Sequence, residues 1–182
     1  MIYIVIFLFL LLAYFLYAFN RMVRLKNLVR EAWSGIDVQL RRRRNLIPLL
    51  SQVTKSYRDF ERDVMEELVR LRSEADGEKN VRKREEKERR FMEGVRKIIA
   101  IGENYPDLKA SEVYLNLQRE LSKIEDDIQF ARRFYNGAVR DYNTFITIFP
   151  NNIVARLLGF REAEFFDISA EERETPGVNL KG

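Results

Sequence analysis

The sequence contains no cysteine and no histidine among its 182 residues. These two absences exclude disulfides, thiol nucleophiles, Cys/His zinc sites and imidazole general bases. Proline and glycine are also sparse, at four and eight residues, so turns are few and the regular elements should be long. With 33% charged and 46% hydrophobic residues, the chain is too apolar to be disordered and too charged for several membrane spans.

The first nineteen residues carry no charged side chain, and the first charged one is Arg21. As a helix this run would be about 28 Å long, close to the ~30 Å hydrocarbon core of a bilayer. It lacks the basic start and the small-residue cleavage site of a secretory signal peptide. A buried core helix of a soluble protein would carry polar residues on some face. We therefore predict a single transmembrane helix over residues 1–19.

The basic residues that flank this run all follow it. Arg21, Arg24 and Lys26 come directly after the apolar segment, and no Lys or Arg precedes it. The positive-inside rule then predicts that the N-terminus lies outside and the rest of the chain in the cytoplasm. The protein is expected in the inner (plasma) membrane, with the lipid bilayer as a partner and these three residues as its membrane-surface contacts.

Apolar residues recur in steps of three or four over most of the remaining chain, and no strand-like alternation of any length is present. The pattern predicts helices over residues 20–76 and 111–149, with Pro48 either kinking or breaking the first of them. Between them it predicts a second helix with a narrow apolar stripe over residues 91–102, and the charged residues 78–90 are either the solvated start of that helix or a disordered loop. The fold class is therefore all-α: an N-terminal transmembrane helix followed by an antiparallel up-and-down bundle of the four-helix type. The predicted bundle covers residues 20–168 and a flexible tail residues 169–182.

The strongest periodicity lies in the helix predicted over residues 111–149. Its aromatic residues are predicted to form the bundle core, with three later phenylalanines as a lid over its end: Tyr135, Tyr142, Phe145 and Phe149, then Phe160, Phe165 and Phe166. The heptads could also indicate a coiled coil, but the apolar stripe is wider than two positions and favours a bundle. A short helix over residues 153–158, ended by Gly159, follows.

Four successive arginines, residues 41–44, form the strongest charge feature. Arg41 lies roughly 31 Å along a straight helix from the end of the apolar run, several times the ~8 Å screening length at physiological salt. Because Arg43 falls on the apolar line, we expect it to pair with a carboxylate while its neighbours solvate the helix. No nucleic-acid motif accompanies the basic residues, so no nucleic-acid partner is expected.

Three segments together resemble the LemA family. They are FARRFYNGAVRDYNTFITIFPNNIVARLLGF (130–160), EAWSGIDVQLRRRRNLIP (31–48) and ENYPDLKASEVYLNLQRELS (103–122). The resemblance implies one N-terminal membrane helix, a cytoplasmic antiparallel bundle of four helices, and no established enzymatic activity or cofactor. The sequence departs from the family where Leu49 replaces an expected Asn, and where a His often found near residues 60–61 is missing.

The segment 130–160 carries the polar residues of most interest: Arg132, Arg133, Asn136, Arg140, Asp141 and Asn143. Asn136 and Asn143 share one heptad position on the flank of the apolar stripe. They are interpreted either as a ridge that docks a partner or as hydrogen-bonding groups that fix the register between helices.

The predicted function is that of a membrane-anchored, non-enzymatic scaffold or adaptor with a protein partner of unknown identity. One alternative is an enzyme or a metal- or ligand-binding bundle that uses Arg, Asn or carboxylates such as those of residues 125–127. A second is a self-assembling coiled-coil bundle, that is, a homo-oligomer. No catalytic residue, cofactor or metal is predicted, because the di-iron site of helical bundles needs histidine.

Overall fold

The computed structural model describes residues 1–46 and 80–166, together with positions 48, 66, 69, 70 and 73 between them. Within these residues the protein is all-helical, as predicted, and contains no strand. The parts of the chain described without gaps contain five helices, namely α1 Ile2–Asn45, α2 Val81–Gly102, α3 Pro106–Lys109, α4 Glu112–Thr147 and α5 Asn151–Leu157.

Helix α1 is continuous over 44 residues and has two unlike halves. Residues 2–13 are apolar and exposed. From Ala18 onward a buried stripe recurs every three or four residues, beginning with Ala18, Met22 and Leu25. Among the described residues, α1 is the one helix long and apolar enough to cross a membrane. The apolar segment and the bundle are thus joined without a break, because one helical register serves both.

Helix α4 packs antiparallel along α1. Trp33 lies against Tyr135, with ring centroids 5.5 Å apart, whereas the later residue Arg43 reaches the earlier Glu125. The main core lies between these helices, where the stripe of α1 meets the apolar line of α4. Most residues of the apolar line of α4 are buried, which confirms the prediction that this line forms the core. The burial is favourable because apolar area leaves water when the two stripes meet.

Helix α2 runs parallel to α1 and antiparallel to α4. Its narrow stripe of Phe91, Val95 and Ile98 packs against Leu117 and Leu121 of α4 in a second core cluster. These contacts confirm the predicted apolar stripe of the second helix. Most of residues 47–79 lie outside the described part of the chain, so the predicted kink or break at Pro48 and the fourth helix of the predicted bundle are not described.

The turn between α2 and α4 depends on one close approach. Helix α2 ends at Gly102, where an added Cβ would lie 2.5 Å from the hydroxyl oxygen of Tyr114. That hydroxyl donates to the carbonyl of Ile99 at 2.9 Å. Pro106 then opens α3, a position where its missing N–H costs nothing. The predicted break between the second and third helices is therefore present.

The aromatic line of α4 differs from the prediction at its end. Tyr135 and Tyr142 are buried and Phe145 half-buried, but Phe149 is 77% exposed. Helix α4 ends at Thr147, so Phe149 no longer follows the helical stripe. The predicted lid is also only partly correct, because Phe166 is buried and Phe160 half-buried while Phe165 points outward. The predicted tail, residues 169–182, lies outside the described part.

Candidate functional site

An extended segment, residues 160–166, returns along α4 after the short helix α5. We call this segment the strap. The chain enters it through Gly159, whose φ of +71° lies in the left-handed region that favours glycine. The strap carries no helical hydrogen bonds of its own beyond the Phe160 N–H to Ala155 turn. Its remaining backbone groups therefore depend on side chains for hydrogen-bonding partners.

Two asparagines of α4 hold the strap by its backbone. Asn143 donates from Nδ2 to the carbonyl of Ala163 at 2.9 Å and accepts at Oδ1 from the N–H of Ala163 at 2.8 Å. Asn136 makes the same pair of bonds with Phe166, both at 2.9 Å. Each amide therefore acts as a neighbouring strand would, satisfying one donor and one acceptor of a single strap residue.

Two tyrosines next to these asparagines bind the strap in the same way. The hydroxyl of Tyr142 donates to the carbonyl of Arg161 at 2.9 Å, and that of Tyr135 donates to the carbonyl of Glu164 at 2.8 Å. Burial raises the pKa of both hydroxyls, and the charge of Glu164 adds to the effect at Tyr135. The hydroxyls are thus held in the protonated form that can donate.

The strap and the helix match because their repeats have nearly equal lengths. The Tyr-Asn dipeptide recurs after seven residues, or about 10.5 Å along a helix. The strap residues that it holds recur after three, or about 10 Å along an extended chain. The four side chains, Tyr135, Asn136, Tyr142 and Asn143, form what we call the Tyr-Asn ladder.

The six polar residues singled out from the sequence fall into two groups. Asn136 and Asn143 bind the strap, and the guanidinium of Arg132 lies 4.6 Å from the ring centroid of Phe166 within it. Arg133, Arg140 and Asp141 are exposed. Arg133 and Arg140, three residues before and four residues after Asn136, border the asparagine side of α4, and Asp141 lies farther round the helix. The asparagines bond an extended segment instead of a second helix, which neither sequence interpretation specified. A docking role for the exposed residues stays a prediction.

A buried charge cluster joins the three long helices farther along the bundle, near the C-terminal end of α1. Arg43 and Arg44 of α1 and Glu88 of α2 are each more than nine-tenths buried. Glu88 pairs with both arginines, with Arg44 at 2.6 Å. Arg43 also pairs with Glu125 of α4 at 2.9 Å. Arg43 therefore has the predicted carboxylate partner, and it has two of them, Glu88 on α2 and Glu125 on α4.

The rest of the four-arginine run is also paired, which corrects the expectation that it only solvates α1. Arg41 pairs with Asp37 at 2.9 Å, and Arg42 pairs with Asp127 at 3.2 Å. Asp37 also binds Arg84 of α2, whose guanidinium lies 5.5 Å from the ring centroid of Trp33. The run joins α1 to both neighbouring helices because successive residues point around the helix circumference.

The carboxylates of residues 125–127, which the sequence offered as possible ligands or catalytic groups, fall into paired and exposed side chains. Glu125 and Asp127 face α1 and bind Arg43 and Arg42, whereas Asp126 is exposed. Among the residues that the structure describes, no group of three or more acidic side chains is arranged to hold a metal ion. Arginine pairing occupies the carboxylates that a cation would need.

The membrane-proximal end of the bundle brings α1 and α5 together. The hydroxyl of Tyr14 donates to Oδ1 of Asn151 at 2.6 Å. Arg21, Arg24 and Lys26 are exposed just beyond this contact, and the Lys26 ammonium lies 5.4 Å from the ring centroid of Phe160. The three predicted membrane-surface residues thus lie where the exposed apolar part of α1 meets the bundle.

These features define a membrane-associated, all-helical protein with an N-terminal apolar helix continuous with a bundle. Comparison with known proteins refines this class. The LemA family matches residues 32–180, and the chain belongs to that family. Protein LemA of Metamycoplasma hominis is 28% identical over 155 residues, which are 85% of this chain and 71% of that protein.

Shorter matches connect the chain to magnetosome proteins. MamQ 2 of Paramagnetospirillum magneticum is 34% identical and MamQ of Magnetospirillum gryphiswaldense 30% identical, each over 76 residues. These matches cover 42% of this chain and 28% of either magnetosome protein.

Proposed function

We propose that this protein is a non-enzymatic, membrane-tethered scaffold or adaptor, which holds its bundle at the cytoplasmic face of a bacterial plasma membrane and presents α4 to a protein partner. The observation that carries the proposal is the continuity of α1. A bilayer anchor that ended in a flexible linker would let the bundle tumble freely. A continuous helix transmits the position of the anchor directly to every element packed against it.

The outward side of α4 supports the choice of a protein partner. Phe130, Phe134 and Asp141 follow one another on this side at helical spacing, together with Arg133 and Arg140, and all five are exposed. We call these five residues the outer ridge. Aromatic and arginine side chains are enriched in protein interfaces and among their strongest contacts. The ladder holds the side of α4 that faces away from Phe130, Phe134 and Asp141, so the ridge lies on a rigid support.

Charge distribution supports the cytoplasmic orientation. Arg21, Arg24 and Lys26 are exposed beside the membrane-proximal end of the bundle, where cytoplasmic anionic lipids attract basic residues. Because the chain has no cysteine, a single introduced thiol reports topology without background. In intact cells, Asn116→Cys on exposed α4 should resist a membrane-impermeant maleimide and react after permeabilisation. Equal labelling before and after permeabilisation contradicts the orientation.

Site-specific photo-crosslinking tests the adaptor role. A photoreactive amino acid at Phe134 should give a discrete adduct with another protein in native membranes, and the same residue at Val113, exposed near the start of α4, should not. Arg140→Glu should abolish the Phe134 adduct, since it reverses a charge of the outer ridge without touching the core. Adducts that contain only a second copy of the chain would favour the homo-oligomer, and no adduct at all would remove the adaptor role.

A further inference from the structure

The corner that joins α4 to the strap exposes an unusual number of apolar side chains. We call residues 148–158 the corner. Phe149 and Leu157 are 77% and 75% exposed. The full set of exposed large apolar residues of the corner is Ile148, Phe149, Ile153, Leu157 and Leu158. Such a contiguous patch is uncommon on a surface that meets only water.

The apolar patch is not the packing face of α5. Asn151, Val154 and Ala155 form that face and are buried against α1 and α4. Ile153 and Leu157, four residues apart, lie on the opposite side of the same helix. Helix α5 is therefore apolar on two sides. Its outer side does not pack into the core that the described residues form.

One hydrogen bond sets the depth of the corner relative to α1. Asn151 accepts from the Tyr14 hydroxyl, and Tyr14 lies five residues before Phe19, the end of the apolar run. At ~1.5 Å per residue, the contact sits about 8 Å inside that end. Amphipathic elements that lie in a membrane interface bury their apolar side about 5–10 Å deep. If α1 spans the bilayer, Asn151 therefore lies within the depth that such interfacial elements reach below the acyl–headgroup boundary.

Charges around the corner fit an anionic lipid surface. Arg156 projects from α5, and Arg161 and Lys26 lie just beyond it towards the bundle, all exposed. The aromatic rings of Phe19 and Phe160, 6.3 Å apart, link α1 to the strap at the same level. Apolar side chains on the membrane side, with cations and aromatic rings behind them, are the arrangement of an interfacial anchor.

We propose that the corner is a second membrane contact, which inserts Phe149, Ile153 and Leu157 into the inner leaflet beside α1. The inference rests on the proposed membrane-spanning role of α1 and extends it. A single spanning helix leaves the bundle free to rotate about the helix axis. Insertion of the corner removes that rotation, and the outer ridge then keeps a constant direction relative to the membrane plane.

Depth-dependent fluorescence quenching of the full chain in vesicles of phosphatidylcholine and phosphatidylglycerol tests the proposal. An environment-sensitive dye is attached to one introduced cysteine at a time, at Ile153, Leu8 or Val113. These positions are matched in exposure, at 60%, 58% and 55%. Ile153→Cys should give blue-shifted emission that lipids brominated high on the acyl chain quench, and Leu8→Cys should be quenched by deep bromines. Val113→Cys should be insensitive to both.

Each other outcome has a distinct meaning. Quenching at Leu8 but not at Ile153 overturns the second contact while α1 still spans the bilayer. Blue-shifted emission at Ile153 without lipid quenching shows that protein covers the corner, as in a self-associated form, and also overturns the proposal. Absence of quenching at Leu8 removes the spanning helix itself and with it the proposed function. Circular dichroism of each labelled variant confirms that the fold is retained.

Discussion

Two regions of helix α4 hold their neighbours by different chemistry. Near the membrane, the Tyr-Asn ladder uses neutral groups and binds only the backbone of the strap. Nearer the middle of α4, Glu125 belongs to a cluster of paired arginines and carboxylates that includes buried Glu88. A neutral hydrogen bond contributes about 0.5–1.5 kcal/mol net. A buried ion pair contributes little net, but its disruption is costly because a charge remains without water.

The two regions therefore select their binding partners in different ways. The ladder tolerates any strap side chain that does not face α4, because it recognises N–H and C=O groups. The charge cluster recognises particular residues and admits one arrangement of three helices, since each buried charge needs its own partner. Disruption of the two regions should therefore differ in the loss of unfolding free energy and in the part of the protein that unfolds. All measurements use the full chain in detergent micelles.

The largest effect is expected from Glu88→Ala. This change leaves Arg43 and Arg44 buried without a shared carboxylate, and loss of one partner from a buried pair costs about 3–5 kcal/mol. Urea unfolding followed by circular dichroism measures the free energy of unfolding. The control is Glu86→Ala on the same helix, whose pair with Arg90 is exposed on both sides and should contribute less than about 1 kcal/mol. Equal effects of the two changes would contradict the buried cluster.

Tyr142→Ala should cause the next largest loss of unfolding free energy, because it leaves a cavity in the core beside the strap. Truncation of a buried aromatic residue costs about 3–5 kcal/mol. Tyr142→Phe keeps the ring and loses the hydrogen bond to Arg161, so it should cost about 1 kcal/mol. Urea midpoints of the two variants separate packing from hydrogen bonding. A wild-type midpoint for Tyr142→Ala would mean that this line of α4 does not form the core.

Asn143→Ala should have a smaller effect that is local to the strap. It removes two hydrogen bonds and leaves the N–H and C=O of half-buried Ala163 without these partners, at about 1–3 kcal/mol. Amide hydrogen exchange should speed up at residues 161–166 while the core of α1 and α4 stays protected. Asn116→Ala, at an exposed position of the same helix, should leave exchange unchanged. Uniform acceleration along the chain would show that the strap does not open separately.

The smallest effect is expected from alkaline pH. Burial raises the folded-state pKa of Tyr135 and Tyr142, so the unfolded chain loses these protons first. Their stabilisation is complete below the unfolded value of about 10 and declines as pH rises towards the raised folded-state pKa. Urea midpoints across this range should fall for the wild type. The double variant Tyr135→Phe, Tyr142→Phe should fall less steeply, and an identical slope would contradict ionisation of the ladder.

Local pattern predicted a large part of this structure. The apolar steps of α2 and α4 indicated which side of each helix is buried, and Gly159 indicated where the short helix after Pro150 ends. Arg43 was expected to pair because a charge on an apolar line must find a carboxylate. These inferences need only the 3.6-residue repeat and the chemistry of one residue at a time, so no knowledge of distant neighbours is required.

The strap shows where such reasoning stops. The segment from Phe160 to Phe166 has no periodicity of its own, and its order comes from side chains twenty to thirty residues earlier. One signal was available, namely the Tyr-Asn pair repeated after seven residues. Its meaning depended on an extended partner whose three-residue repeat has nearly the same length. Glu88 was hidden for a related reason, since it lies within a run of charged residues that resembles a solvated helix face.

Short stretches of sequence were enough to predict the helical class, the apolar N-terminal segment, the main buried stripes and the family resemblance, because each of these features depends on residues that are close together in the chain. The tertiary structure alone decided which carboxylates neutralise the arginines, that Asn136 and Asn143 bind a strap, and that Asn151 meets Tyr14 across 137 positions of chain. The physical reason is that hydrophobic periodicity is a local property of a helix. The partner of a buried polar group is set by how whole helices pack, and that choice depends on the entire chain at once.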